Sequence, residues 1–373
     1  MENAAVENGV CYKESAKGGH DVWRCENGAG ALSSADHLVV MVHGILGSAN
    51  DWEYAAEQFV RLLPAKVIVH CSERNLGKLT LDGVDIMGER LAEEVLEVIK
   101  QKQYLRRISF VAHSLGGLVS RYAIGKLYQP PNCSNSEDSS ANESVENLRG
   151  TIVGLEAMNF ITVATPHLGS RGNKQIPFLF GLTAFEKIAS RMSHWIYRRT
   201  GTHLFLGDDN EGKPPLLKRM VEDHSEYPFI SALQAFSRRV AYSNVAYDHI
   251  VGWRTSSIRR VSELPKWKGS INEKYPHIVY EEHCKAIDPE HSEPSSVGDC
   301  SSDKVEEELV MGLSRVSWEK VDVSFHTSRL RFNAHNVIQL SQSALVNVMQ
   351  AKDPYMHKEG ADVILHMIDH FLV

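Results

Sequence analysis

One short run constrains this chain more than any other: Ala112-His113-Ser114-Leu115-Gly116, set between the apolar Ile108-Ser109-Phe110-Val111-Ala112 and a helix-like stretch that continues through Tyr128. A serine at a sharp strand-to-helix turn is held in strained backbone geometry, and small residues two positions to either side let strand and helix approach. The pattern predicts Ser114 as an exposed nucleophile at the amino-terminal end of a helix, where unpaired N–H groups favour developing negative charge. A buried serine at a small-residue helix start is the competing reading. Pro130 and Pro131 end the helix.

The same strand–turn–helix unit recurs along the chain. Leu38-Val39-Val40-Met41-Val42 reads as a core strand, followed by glycine-containing turn chemistry and a helix over Trp52 to Leu63. Val67-Ile68-Val69 is the next strand. Residues Val84, Met87, Leu91, Val95, Val98 and Ile99 fall near helical spacing over Val84 to Lys100. Further strands are predicted over Asn159 to Ala164, Val240 to Ala246 and Val321 to Phe325. Short β-branched runs separated by helices imply an α/β fold with a doubly wound, mainly parallel sheet and helices on both faces, because parallel neighbours need crossover connections. Residues 1–36 are polar and lack clear periodicity, so they are expected to be loosely structured apart from a short strand around Asp21-Val22-Trp23. The fold proper is expected over 37–373, with solvated insertions near 132–147 and 288–303 and a helical cap insertion near 170–235. Within that cap, Leu182, Phe185, Ile188, Met192, Trp195 and Ile196 share one side of a predicted helix over Pro177 to Arg199. Such a basic amphipathic helix either covers an acyl pocket or packs on the core.

A serine hydroxyl is a weak nucleophile until a base removes its proton, so the elbow requires a histidine and an orienting carboxylate. In this topology the chain order is serine, acid, histidine. Asp248 follows a predicted strand and opens Asp248-His249-Ile250-Val251, a loop position at a strand's carboxyl end; Asp223 and Asp322 are weaker rivals. His335 follows the last predicted strand and is the expected base, with His326 as its rival. His366 and His370 read as structural. Val42-His43-Gly44-Ile45-Leu46-Gly47 follows the first core strand as an oxyanion-binding loop should, so the N–H groups of Ile45 and Leu115 are expected to stabilise a tetrahedral intermediate.

Together with Ala164-Thr165-Pro166-His167-Leu168-Gly169-Ser170, these motifs resemble the serine esterase family labelled DUF676, a lipase-like branch of the α/β-hydrolases, and the chain looks like a plant member. The resemblance spans roughly residues 37 to 373. It implies a serine carboxylester hydrolase acting through an acyl-enzyme, with relatives acting on glycerolipids or phospholipids and some found at lipid droplets. An acyltransferase or thioesterase with the same residues, and a pocket kept only for binding, remain the alternatives.

Composition narrows the partners. Lys plus Arg is 40 against Asp plus Glu 47, a formal net charge of −7, so no attraction to nucleic acid is expected. The six cysteines include no CxxC pair, and His283, Cys284, His291 and Cys300 lack zinc-ligand spacing, so neither metal nor cofactor is expected. An amino terminus without an apolar run leads to the expectation of a cytoplasmic protein with peripheral contact to a membrane or droplet surface, and no protein partner is identifiable.

Overall fold

The computed structural model describes residues 10–15, 20–26, 35–131, 149–170, 197–209, 212–266, 272–287, 301–341 and 359–373. Its centre is β3 (His37–Val42), whose six residues are all buried. Alternate side chains of this strand feed two cores: Leu38, Val40 and Val42 on one face of the sheet, Val39 and Met41 on the other. A strand covered on both faces reads as an unbroken apolar run, which is why it is so visible in the sequence. Each such aliphatic side chain contributes about 1.5–3 kcal/mol through burial.

From β3 the chain passes through α1 (Glu53–Leu62), β4 (Val67–Cys71), α2 (Val84–Gln101), β5 (Arg107–His113) and α3 (Leu115–Leu127). A small ribbon of β6 (Tyr128–Gln129) and β7 (Thr151–Ile152) precedes β8 (Glu156–Val163). Then come α4 (Phe229–Ala235), β9 (Arg238–Asn244), β10 (Ile278–Cys284), α5 (Ser301–Leu313), β11 (Trp318–Val323), a short α6 (Ala334–Val337) and α7 (Ala361–Asp369). Helices α2, α3, α4 and α5 contribute to the core on one face, and α1, α6 and α7 to the core on the other.

The expected doubly wound sheet is present. Its interior runs β4-β3-β5-β8-β9-β11, all parallel. The chain moves from β3 outward to β4 and then returns past β3 to β5, so the winding reverses between β3 and β5. A crevice opens at the carboxyl ends of the strands at such a reversal.

One expectation about the edges is corrected, and one edge strand was not foreseen. The fold does not begin near His37: β1 (Val10–Glu14) and β2 (Val22–Glu26) form an antiparallel hairpin that joins the sheet through Trp23 opposite Val69. Within it Cys11 and Cys25 face each other as thiols, their sulfurs 2.8 Å apart. At the far edge, β10 pairs antiparallel with β11 and turns Glu281, Glu282 and His283 to solvent. Charged side chains protect an edge strand from unwanted pairing, and they also hide it from a search for apolar runs.

The insertion at 132–147 lies outside the described residues, as does most of the one at 288–303, although α5 already begins at Ser301. Residues 171–196, which hold most of the predicted cap helix, also lie outside them. A helix over 197–204 is described.

Candidate active site

Ser114 stands where β5 ends and α3 begins, with φ 53° and ψ −129°. A non-glycine residue in that region costs about 1–3 kcal/mol and persists only where its surroundings enforce it. Here the enforcement is visible. The Ser114 N–H is bonded to the Val163 carbonyl at 2.8 Å. A Cβ on Gly116 would lie 2.5 Å from the Val42 and His43 carbonyl oxygens, and one on Gly44 would lie 2.9 Å from the Ser114 Cβ. Only glycine at both positions lets the loop after β3 press against the elbow.

The structure brings the three predicted side chains together. His335 Nε2 is 3.0 Å from Ser114 Oγ, and His335 Nδ1 is 3.0 Å from Asp248 Oδ2. His335 lies in α6, after β11, and Asp248 in the loop after β9. Asp248 also accepts from Asn244 Nδ2 at 2.9 Å and from the N–H groups of Ile250 and Val251 at 3.0 and 2.8 Å. Its side chain is 2% exposed. Burial pushes its carboxyl up, but the adjacent His335 and these hydrogen bonds outweigh that, so it lies below the usual carboxylate range.

Ser114 itself departs from expectation. Predicted to be exposed, it is 3% exposed, because the Gly44 loop and the His335 ring close over it. The rivals are accounted for elsewhere. Asp322 takes both hydrogen bonds from Arg259 and one from Trp253, Asp223 caps the start of α4 through Ile230 and Ser231, and His326 contacts Ser324. His366 contacts the Tyr242 hydroxyl at 2.8 Å.

The predicted oxyanion loop forms a turn closed by Gly47 N–H to the Gly44 carbonyl at 3.2 Å. Leu46, at φ 56°, donates its N–H to Thr80 Oγ1 at 2.8 Å. Ile45 therefore sits in a clamped turn against Ser114, and Leu115 opens α3 with its N–H at the helix start.

Two supporting residues escaped the sequence reading. Thr80 carried no signal, being one threonine in a run without periodicity. His113 was in view only as the letter between Ala112 and Ser114. Its Nε2 donates to the backbone carbonyl of His335 at 2.7 Å. Burial, aided by the neighbouring His335, holds the His113 imidazole well below its ordinary value, so it stays neutral with one N–H to give. Strand alternation points it away from Ser114, which is the one clue available beforehand.

Away from this site, ligand atoms of His20, His70 and Glu94 lie within 4.8 Å of one another. Each is already engaged: His70 Nε2 meets Glu94 Oε1 at 2.9 Å, His70 Nδ1 meets the Asp21 carbonyl at 2.9 Å, and His20 meets Glu97 at 3.1 Å.

A family model described as "Putative serine esterase (DUF676)" matches residues 32–258. That span includes Ser114 and Asp248 and stops before His335, whose position rests on geometry. Among curated proteins, "Putative lipase ROG1" of Saccharomyces cerevisiae is 30% identical over 242 residues, covering 64% of this chain and 31% of the relative. "Putative lipase C4A8.10" of Schizosaccharomyces pombe is 30% identical over 245 residues, covering 63% and 27%. The chain thus spans less than a third of the length of these relatives. Of the solved structures, mature lipase BlEst2 of Bacillus licheniformis is 18% identical with a TM-score of 0.32, covering 56% of this chain and 66% of that one. Phospholipase PlaB of Legionella pneumophila is 15% identical with a TM-score of 0.34, covering 59% and 43%. With most of its length matched, the chain belongs to the family described as "Putative serine esterase (DUF676)".

Proposed function

We propose that this chain is a serine carboxylester hydrolase, a lipase or esterase acting on glycerolipid or phospholipid acyl esters. The observation that carries the reading is the continuous line Ser114 Oγ–His335 Nε2, His335 Nδ1–Asp248 Oδ2, with both gaps 3.0 Å. In this reading His335 takes the Ser114 proton as Oγ attacks the ester carbonyl. The tetrahedral oxyanion accepts from the N–H groups of Ile45 and Leu115, each donor contributing about 3 kcal/mol. His335 then returns its proton to the leaving alcohol, and water, activated in the same way, releases the acyl group. Asp248 fixes the Nδ1–H tautomer and balances the imidazolium.

Support for a lipid substrate comes from the names of the relatives and from the rim of the site. Leu46, Ile250 and Phe332 are 58%, 48% and 65% exposed, and in sequence they stand one, two and three residues from Ile45, Asp248 and His335. Apolar side chains ringing a serine suit an ester presented at a membrane or droplet surface. Because Ser114 is covered, the loops above it must part for an acyl chain to reach Oγ.

The test is covalent labelling. A fluorophosphonate should add one phosphonyl group to the wild type and none to Ser114→Ala, with release of long-chain fatty acid from a glycerolipid lost in parallel. Absence of labelling in a folded wild type would defeat the proposal, and transfer of the acyl group to an added alcohol in preference to water would make the protein an acyltransferase.

A further inference from the structure

The carboxyl ends of the strands carry the Ser114 arrangement, and their amino ends carry a cavity of about 350 Å³ that the proposed chemistry does not use. It opens where β9 and the segment leading into β11 begin, beside the β6–β7 ribbon. Its walls include Tyr128, Arg149, Gln234, Arg239, Arg315 and Ser317. Among the described residues lining it there are three arginines and no carboxylate.

Arg239 is 8% exposed, and its guanidinium is held by neutral acceptors. Nε donates to the Ser317 carbonyl at 2.7 Å, Nη1 to the Leu233 carbonyl at 3.0 Å and to that of Phe236, and Nη2 to Ser317 Oγ at 2.8 Å. Among the described residues, the carboxylates nearby are committed elsewhere. Glu319 holds Arg238 through two contacts to its Nε at 3.0 and 2.9 Å, and Asp223 caps α4. Glu308, in the adjoining cleft that Arg315 also borders, pairs with Lys218. Burial draws the Arg239 guanidinium down to about 10, which still leaves it charged at neutral pH. Among the described residues Arg149 donates to a hydroxyl, Ser237 Oγ, at 3.0 Å. Arg239 is thus a buried cation whose described hydrogen bonds all go to neutral oxygens, and two exposed arginines, Arg149 and Arg315, border the same cavity in a chain whose net charge is −7.

We propose that the cavity bounded by Arg149, Arg239 and Arg315 is a binding site for a phosphate-bearing anion. Guanidinium forks match phosphate oxygens in pairs, and several arginines around one point suit a tetrahedral oxyanion better than a planar carboxylate. Ser317 Oγ, which accepts from Arg239, retains its O–H to donate. The volume exceeds what inorganic phosphate needs and leaves room for an esterified group. The anion comes either free or as a lipid headgroup, and the two sources separate experimentally.

The experiment compares wild type with the double variant Arg149→Gln, Arg315→Gln, which leaves the structural bonds of Arg239 intact and touches no residue assigned to ester chemistry. In the first arm, inorganic phosphate is titrated against chloride at matched ionic strength while Tm is followed. In the second, vesicles of phosphatidylcholine with and without phosphatidic acid are sedimented with the protein. A saturable phosphate-dependent rise in Tm that needs at least tenfold more phosphate in the double variant supports the site with free phosphate as source. Phosphatidic-acid-dependent sedimentation lost in the double variant supports it with a headgroup as source. Arg315→Lys, which keeps the charge and loses the fork, should fall between. Wild-type ester turnover in the double variant confirms its fold. Equal behaviour of the two proteins in both arms, or no response in either, overturns the proposal.

Discussion

At the scale of single residues, the proposed chemistry depends on a carboxylate whose every neighbour is a donor. Asp248 receives His335 Nδ1, Asn244 Nδ2 and two backbone N–H groups. An amide in its place must turn its own NH2 toward one of those donors, either expelling the loop's backbone bonds or presenting N–H to His335 and forcing the wrong tautomer. Asp248→Asn should therefore lower kcat by about 10³–10⁴-fold while leaving KM within a few-fold and the fold intact, measured on a soluble short-chain ester. His335→Ala should match that loss and His326→Ala should not. If His326→Ala proved the damaging change, the base would have been assigned wrongly. Legibility at this scale divides cleanly. Ser114 was readable because a strand, a serine between small residues and a helix occur in immediate succession. Asp248 and His335 were readable as loop positions after strands, and only their 3.0 Å distances separate them from Asp322 and His326. His113 was not readable, since its hydrogen bond is to a backbone atom 222 residues away.

At the scale of elements, the loop after β3 is held by a part of the chain that joins it only in three dimensions. Thr80 Oγ1 accepts from Leu46 N–H and donates to the Gly77 carbonyl at 2.6 Å. The Thr80 carbonyl accepts from Thr200 Oγ1 at 2.8 Å, and Thr200 accepts from Gly83 N–H at 3.0 Å. The helix over 197–204 is thus tied through Thr80 to the turn that bears Ile45. Thr80→Val keeps the side-chain shape and leaves the Leu46 N–H without an acceptor, a cost of about 1–3 kcal/mol that the strained turn can relieve by rotating. The expected result is a drop in kcat of roughly tenfold, about 1.4 kcal/mol, with KM nearly unchanged and recovery in Thr80→Ser. Parallel losses of kcat and Tm without recovery by serine would reduce Thr80 to a stabilising residue. What the sequence hid among elements follows from the same physics. β3 was legible as an unbroken apolar run and α2 by its helical period, whereas β1 and β10 sit at the two edges of the sheet, where charged side chains face water. The apolar alternation is broken there by residues such as Lys13 and Glu282.

Across the whole molecule, the hairpin of β1 and β2 is fastened to the core by a buried ion pair. His70 on β4 spans from the Asp21 carbonyl, at the start of β2, to Glu94 on α2, and both side chains are fully buried. Glu94 also accepts from Ser72 Oγ and Glu73 N–H at 2.8 and 2.7 Å, and the His20 ring packs 5.3 Å from that of His70. Burial alone would lower the His70 imidazole, but its hydrogen bond and charge contact with Glu94 raise it above its ordinary 6.5. Burial would likewise raise Glu94, yet His70 and the flanking donors hold it below its ordinary 4.5. The signs fix the window. A raised imidazole stabilises the fold fully below pH 6.5 and loses that contribution as pH rises through its folded value. A depressed carboxylate stabilises above pH 4.5 and loses its contribution as pH falls through its folded value. The pair is therefore strongest between these limits. His70→Asn strands Glu94 as a buried charge and should cost about 3–5 kcal/mol near pH 6, with the gap to wild type narrowing toward alkaline pH as the wild type gives up its own proton. Urea unfolding from pH 5 to 9 measures this directly, and a gap that stays constant would show that folding does not raise the His70 imidazole. Amide exchange locates the loss within the sheet. The loss should appear first as faster exchange in β1 and β2, which depend on the Asp21 contact, while β3 and β5 at the centre of the sheet keep their protection until global unfolding.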